Sequence, residues 1–275
     1  MNGAAGKTIV ITGATDGIGL AAAERLASMG AKLVLVGRDP AKGAPIAARL
    51  KAQIHYADLS RLDAVRALAR ELRALPRIDV LLNNAGAIFT RREETADGLE
   101  RTFALNHMAY YMLTRLLSDR MVRGARVVNV ASGAHRMATL DFDDLQTRRG
   151  YTGWLAYRRS KLANVLFTRA LARRLNGSGI TANALHPGFV ASAFGDNNRG
   201  VFRAGLAVAK RFGAIAVAAG AETPVYLAAS PEVEGVSGLY FDECKPREPS
   251  AAAQDDAAAE RLWTASAHLA GLPAD

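Results

Sequence analysis

A single cysteine, Cys244, stands among 275 residues, so no disulfide can close within the chain and no cysteine-rich metal cluster is available. The five histidines (His55, His107, His135, His186, His268) never reach the H-x3-H spacing of a helical zinc site. Aromatic residues make up only 7% of the chain, and no basic run interleaves with them as a base-stacking platform requires. The formal charge of +9 is spread along the sequence, so a solvated surface is expected rather than a nucleic-acid footprint. No apolar stretch approaches the roughly 18 to 20 residues of a membrane span, and the best candidate, residues 212–221, is too short. Residues 1–7 run directly into a strand-like segment and leave no room for a signal peptide, so the chain is expected to be soluble and cytoplasmic.

What is present is a globular balance, 50% hydrophobic and 22% charged, arranged as alternating strands and helices. Short β-branched or apolar runs at 8–12, 33–36, 53–57, 78–82, 126–130 and 180–185 predict strands. Helical patterns fill 17–29, 41–51, 61–74, 99–118 and 152–175, with Ser60 a candidate cap for the third and Asn176-Gly177 a stop for the last. Continuous apolar strands alternating with helices predict a doubly wound parallel α/β sheet covered on both faces. Ligands of such a sheet bind at the carboxyl ends of its strands. No linker divides the chain, so one domain over 1–275 is expected, its alanine-rich tail at 250–270 forming a docked C-terminal helix.

The first strand ends in Thr12-Gly13-Ala14-Thr15-Asp16-Gly17-Ile18-Gly19. Glycines there permit a tight turn and close approach of a phosphate, while the following helix supplies N–H groups and a positive dipole. An ordinary strand–helix turn has the same look, but its place between the first strand and the first helix favours dinucleotide binding. At the end of the second strand, where an NAD enzyme of this fold carries an acid for the ribose diol, Gly37 is followed by Arg38. A guanidinium pairs with a 2′-phosphate, so NADP(H) is expected over NAD(H), although Asp16 and Asp39 lie near enough in sequence to oppose it. Asp58, with Leu59, ends the third strand and can meet the adenine or support Ser60. Asn83-Asn84-Ala85-Gly86 ends the fourth with small residues that suit passage of a cofactor.

Tyr157 and Lys161 are four apart in a predicted helix and so share a face. Ser132 follows the fifth strand, whose carboxyl end lies on the same side as the glycine turn. Together these motifs resemble the short-chain dehydrogenase/reductase family, with T-G-x3-G-x-G at 12–19, N-N-A-G at 83–86, Ser132, Y-x3-K at 157–161 and Pro187-Gly188 in family order. The segments 126–130, 160–169, 184–188 and 235–241 are similar to its retinol-dehydrogenase-like branch, which includes the oxidoreductase domain of WW-domain-containing oxidoreductases.

The resemblance implies a Rossmann-type fold and an oxidoreductase acting on a carbonyl or alcohol. It implies Tyr157 as general acid or base, Ser132 on the substrate oxygen, Lys161 lowering the phenol pKa and holding ribose hydroxyls, and Asn106 anchoring a relay water. It puts Gly13, Thr15, Asp16, Gly17, Ile18, Gly19, Arg38, Asp58, Leu59, Asn84, Ala85, Gly86, Pro187, Gly188 and Val190 at the cofactor, with 189–215 as a substrate lid. The apolar residues of that lid suggest a lipophilic substrate. Family members form dimers or tetramers through helices after the fourth and fifth strands, and monomers also exist. Two other readings stand beside this one. A non-catalytic regulatory protein that keeps a dinucleotide pocket is the first, and a sugar-nucleotide epimerase or dehydratase, whose glycine spacing differs, is the second.

Overall fold

The computed structural model describes residues 3–188 and 216–274. The chain runs β1 (Thr8–Thr12), α1 (Gly17–Ser28), β2 (Lys32–Gly37), α2 (Pro40–Leu50), β3 (Gln53–Tyr56), α3 (Leu62–Leu72) and β4 (Ile78–Asn83). It continues through α4 (Arg101–Phe103), a π-helical turn (Ala104–Met108), α5 (Ala109–Leu117), β5 (Met121–Val130), α6 (Gly153–Arg174) and β6 (Thr181–His186). After the segment 189–215 come α7 (Val217–Gly220), α8 (Glu222–Ala229), β7 (Tyr240–Asp242), β8 (Lys245–Arg247), α9 (Ala251–Gln254) and α10 (Asp256–Ala270). The strands form one sheet in the order β3-β2-β1-β4-β5-β6-β7-β8, parallel except for the antiparallel β7–β8 pair. Strand order reverses between β1 and β4, the point at which a doubly wound sheet opens a crevice.

Period-2 alternation sorts the strand side chains between two cores. Val10, Val34, Val36, Leu81 and Val127 face α3, α5, α6 and α10. Ile9, Ile11, Leu33, Leu35, Val80, Leu82, Val128 and Val130 face α1 and α8. Since every interior strand buries both faces, the sequence shows apolar runs there instead of alternation. A buried polar ladder fixes how β4, β5 and α6 sit together. Asn83 Nδ2 donates to Thr114 Oγ1 (3.1 Å) and Asn129 Oδ1 (2.9 Å), and Asn129 Nδ2 donates to Thr168 Oγ1 (3.0 Å).

Several expectations need correction. Arg61, not Ser60, precedes α3, whose first amide (Leu62) is met by Asp97 Oδ2 at 3.0 Å. The Ser60 hydroxyl donates to Asp58 Oδ1 at 2.7 Å, a local turn that competes with capping. The helix expected over 99–118 begins at Arg101 and widens into the π turn around Asn106. The tail helix is broken at Asp255, which is extended and accepts from Ala258 N, restarting the helix as α10. Strands β7 and β8 are three residues each, too short for a periodic signal, and β8 carries Pro246 at the sheet edge. Among the described residues no helix is long and apolar enough to cross a membrane. Val190 and the expected lid at 189–215 lie outside the described residues.

Candidate active site

A cleft of about 600 Å³ opens at the carboxyl ends of β1 to β6. Its floor at one end is the glycine turn. Gly13 and Gly17 take positive φ (66° and 50°), and a Cβ on Gly13 would stand 2.9 Å from Ala85 Cα. Thr12 Oγ1 accepts from the amides of Asn84 (2.9 Å) and Ala85 (3.0 Å), and Asn84 Nδ2 donates to Thr12 O (2.9 Å). The two loops at the switch point are thus sewn together. Gly19 does not line the cleft; a Cβ there would stand 2.2 Å from Gly13 O, so no side chain fits where α1 packs on the turn.

The two carboxylates that sequence set against Arg38 are engaged by helices. Asp16 caps α1, accepting from Gly17 N at 2.7 Å, and stands 3.8 Å from Lys42 Nζ. Asp39 caps α2, accepting from Ala41 N at 2.9 Å. Arg38 lines the cleft, as do Thr15, Ile18, Asp58, Leu59, Asn84, Ala85, Gly86, Pro187 and Gly188.

The other end of the cleft brings Ser132, Tyr157 and Lys161 together. Ser132 leaves β5 in extended conformation and caps a short 3-10 turn, its hydroxyl accepting from Ala134 N at 3.2 Å. His135 donates from Nδ1 to Ser132 O (2.7 Å), because its Nε2 accepts from Ser250 N (3.2 Å). The Tyr157 ring is buried against Ile88 and Ala134. Burial pushes its phenol up to about 12, while a hydrogen bond with the Ser132 hydroxyl works the other way. Lys161 Nζ lies 5.7 Å from the centroids of the Tyr110 and Tyr157 rings and donates to Val130 O at 2.9 Å. Burial brings its ammonium down to about 7. The phenol depression expected from that ammonium is therefore overridden in the chain alone, because both groups are desolvated.

Asn106 stands behind this wall, outside the cleft lining. Its Oδ1 accepts from Ala87 N, and its Nδ2 donates to Ala87 O and Ser160 Oγ, all at 2.9 Å. Ser160 in turn donates to Tyr157 O at 2.8 Å. The Asn106 side chain is a bracket between the β4 loop and α6, which leaves a water only the second lone pair of Oδ1.

Sequence reading missed part of the lining. Phe89, Arg101, Leu105, Met137, Trp154 and His186 also face the cleft. Trp154 stacks on Tyr157, with centroids 5.6 Å apart and planes at 23°. The start of α6 is fixed by three contacts. Thr152 Oγ1 accepts from Leu155 N (3.1 Å), Tyr151 OH donates to Phe89 O (2.7 Å), and Gly153 sits where a Cβ would meet Phe89 O at 2.4 Å. Trp154 lies three residues before Tyr157, a spacing that shares a helix face and was a usable signal. A second, more open depression of about 760 Å³ lies between 142–148 and α10 and holds none of these residues.

With this sheet, glycine turn and Ser–Tyr–Lys cluster in view, comparison with known proteins defines the class. The short chain dehydrogenase family model matches residues 7–200, and the chain belongs to that family. It is 39% identical to retinol dehydrogenase 14 of Homo sapiens, over 97% of this chain and 87% of that protein. A crystal structure of a protein from Mycobacterium paratuberculosis superposes with TM-score 0.81 at 33% identity, covering 98% of this chain and 96% of that one. A short chain dehydrogenase from Burkholderia cenocepacia in complex with NADP gives TM-score 0.70 at 26% identity, covering 88% and 98%.

Proposed function

We propose that this chain is an NADP(H)-dependent oxidoreductase that interconverts a carbonyl and an alcohol on a lipophilic substrate, with Tyr157 as general acid and base. The observation that carries this reading is the meeting of Ser132, Tyr157 and Lys161 at one end of a cleft whose other end is the glycine turn.

The residues present fit a nicotinamide dinucleotide. Gly13, Gly17 and Ile18 line one end of the cleft where α1 begins, so helix N-terminal amides border the space a pyrophosphate would take. Gly13 to Ile18 would hold the pyrophosphate, Asp58 and Leu59 the adenine end, and Asn84 to Gly86 the passage between. Lys161 would hold ribose hydroxyls, and Pro187, Gly188 and Val190 the nicotinamide end. Arg38 at the end of β2, with Lys42 nearby on α2, supports recognition of a 2′-phosphate, and the NADP bound to the Burkholderia cenocepacia relative agrees. When bound, the nicotinamide supplies or accepts the hydride.

This chain's residues then manage the oxygen. The Ser132 hydroxyl donates a hydrogen bond to the carbonyl oxygen and fixes its position. A phenol held near 12 keeps its proton through the neutral range, so Tyr157 is poised to donate to that oxygen in the reductive direction. The Lys161 ammonium stabilises the phenolate left behind. The substrate end is lined by Phe89, Leu105, Met137 and Trp154, which supports an apolar body. Arg101 lies over the Phe89 ring and is paired with Glu93, so its charge is already met.

The test is a panel of aldehydes and ketones with NADPH, and of alcohols with NADP⁺. Tyr157→Phe is expected to lower kcat at least a hundredfold, in line with the loss of a general acid, with NADPH affinity within about threefold of wild type. Turnover near the wild-type rate in that variant rejects Tyr157 as proton donor. Tight NADPH binding with no turnover of any substrate points instead to a regulatory binding protein.

A further inference from the structure

Trp154 is an unusual residue to leave in water. The residue is 43% exposed, and Met137, also on the cleft lining, is 57% exposed. One face of the indole is covered by Tyr157 in a near-parallel stack. Its backbone position is rigid, because the start of α6 is held by the Thr152 cap, the Tyr151 hydrogen bond and the Gly153 approach to Phe89. A fixed aromatic surface loses little freedom when a ligand covers it. Such a ring gains from a flat partner beyond the area it buries, and a thioether adds polarisable contact to the edge of a ring. Among the described residues lining this end, Arg101 is paired to Glu93 and Lys161 donates to Val130 O, so neither is an uncommitted cation for an anionic group.

We propose that Trp154 determines specificity: its indole is the wall on which an uncharged carbonyl compound with a flat, conjugated body stacks, beside the hydroxyl of Tyr157. The inference rests on the oxidoreductase reading above and deepens it by naming the substrate class. Trp154 acts by positioning substrate and takes no part in proton transfer.

The experiment compares kcat/KM for trans-cinnamaldehyde, flat and conjugated, with that for hexanal, saturated and flexible, in the full chain with NADPH. The wild-type ratio is expected to exceed one and to fall about tenfold in Trp154→Ala, as loss of an aromatic stack predicts. Trp154→Phe should keep most of the ratio, and Met137→Ala should lower it about threefold. A Tyr157 ring merely loosened by loss of its neighbour would slow both aldehydes alike, so the ratio isolates the stacking. Trp154→Leu, which keeps bulk without a flat face, reads the same ratio should the alanine variant not fold. A wild-type ratio below one, or a ratio unmoved in Trp154→Ala and Trp154→Leu, overturns the inference while leaving the oxidoreductase reading intact. Failure of the wild-type chain to reduce either aldehyde, or any carbonyl of the wider panel, overturns both.

Discussion

Arg38 shows how a single residue's meaning depends on its neighbours' commitments. From sequence, Asp16 and Asp39 stood close enough to repel the phosphate that Arg38 would attract. In the structure each carboxylate accepts a helix N-terminal amide, and Asp16 has Lys42 at 3.8 Å. That ion pair is exposed and contributes little to stability. Its consequence is local: the negative charge at this corner is partly offset, leaving Arg38 free to act on an anion. A charge-assisted hydrogen bond contributes about 1.5 to 3 kcal/mol, which is roughly ten- to a hundredfold in binding. Arg38→Ala is therefore expected to lower the ratio of kcat/KM with NADPH to kcat/KM with NADH at least tenfold. Steady-state rates with both nucleotides check this, and an unchanged ratio would move phosphate recognition elsewhere. Tyr157 carries the opposite lesson, since Y-x3-K spacing revealed the pair but not its electrostatics. Burial, which no spacing reports, holds the phenol near 12 and the ammonium near 7.

At the scale of elements, α6 joins the candidate site to the fold. Its N-terminal turn carries Trp154 and Tyr157, and its middle carries Lys161 and the Thr168 rung of the ladder to β5. Its far face packs on the C-terminal helix, where Phe167 stacks on Trp263 at 5.9 Å. The π turn contributes Asn106 to the bracket behind the cleft and, one residue later, the fully buried His107, whose Nε2 lies 2.8 Å from Ser266 Oγ on α10. The sequence pattern showed a helix at this place but not the wide turn, because a π insertion changes which residues face inward without altering composition. Burial brings the His107 imidazole down to about 4 from an ordinary value of 6.5. Between those values the unfolded chain binds a proton that the folded chain refuses, so stability falls as pH drops from about 6.5 towards 4. The full loss is about 3 kcal/mol. Denaturant melts at pH 7.5 and pH 5 should show it, and His107→Gln should flatten the slope over that window. An equal slope in both proteins would assign the acid sensitivity to other groups.

At the scale of the whole molecule, the cleft is built by parts that are distant in sequence. Gly13, Arg38, Asp58, Asn84, Ser132, Tyr157 and Pro187 reach it from the ends of six strands and one helix. That assembly was largely legible in the sequence, because parallel strands must bury both faces and so announce themselves as apolar runs, and because their carboxyl ends share one side. What stayed hidden was set by contacts across the fold. Asp97 capping α3, the Asp255 break and the three-residue edge strands depend on partners or lengths that leave no periodic trace. The same long-range construction has a thermodynamic consequence. A dinucleotide lying along the cleft would touch β1, β2, β4, β5, α6 and the turn after β6 at once, and it could not bind the unfolded chain in that way. At a hundred times its dissociation constant, a ligand of the native state alone adds about 2.7 kcal/mol, equivalent to roughly 5 to 10 °C in a chain of this size. NADPH is therefore expected to raise Tm by that amount in a calorimetric or dye-based melt. Arg38→Ala should lose the part of the shift that distinguishes NADPH from NADH, while Tyr157→Phe should keep nearly all of it. A Tm unmoved by either nucleotide at millimolar concentration would mean that the cleft does not hold one.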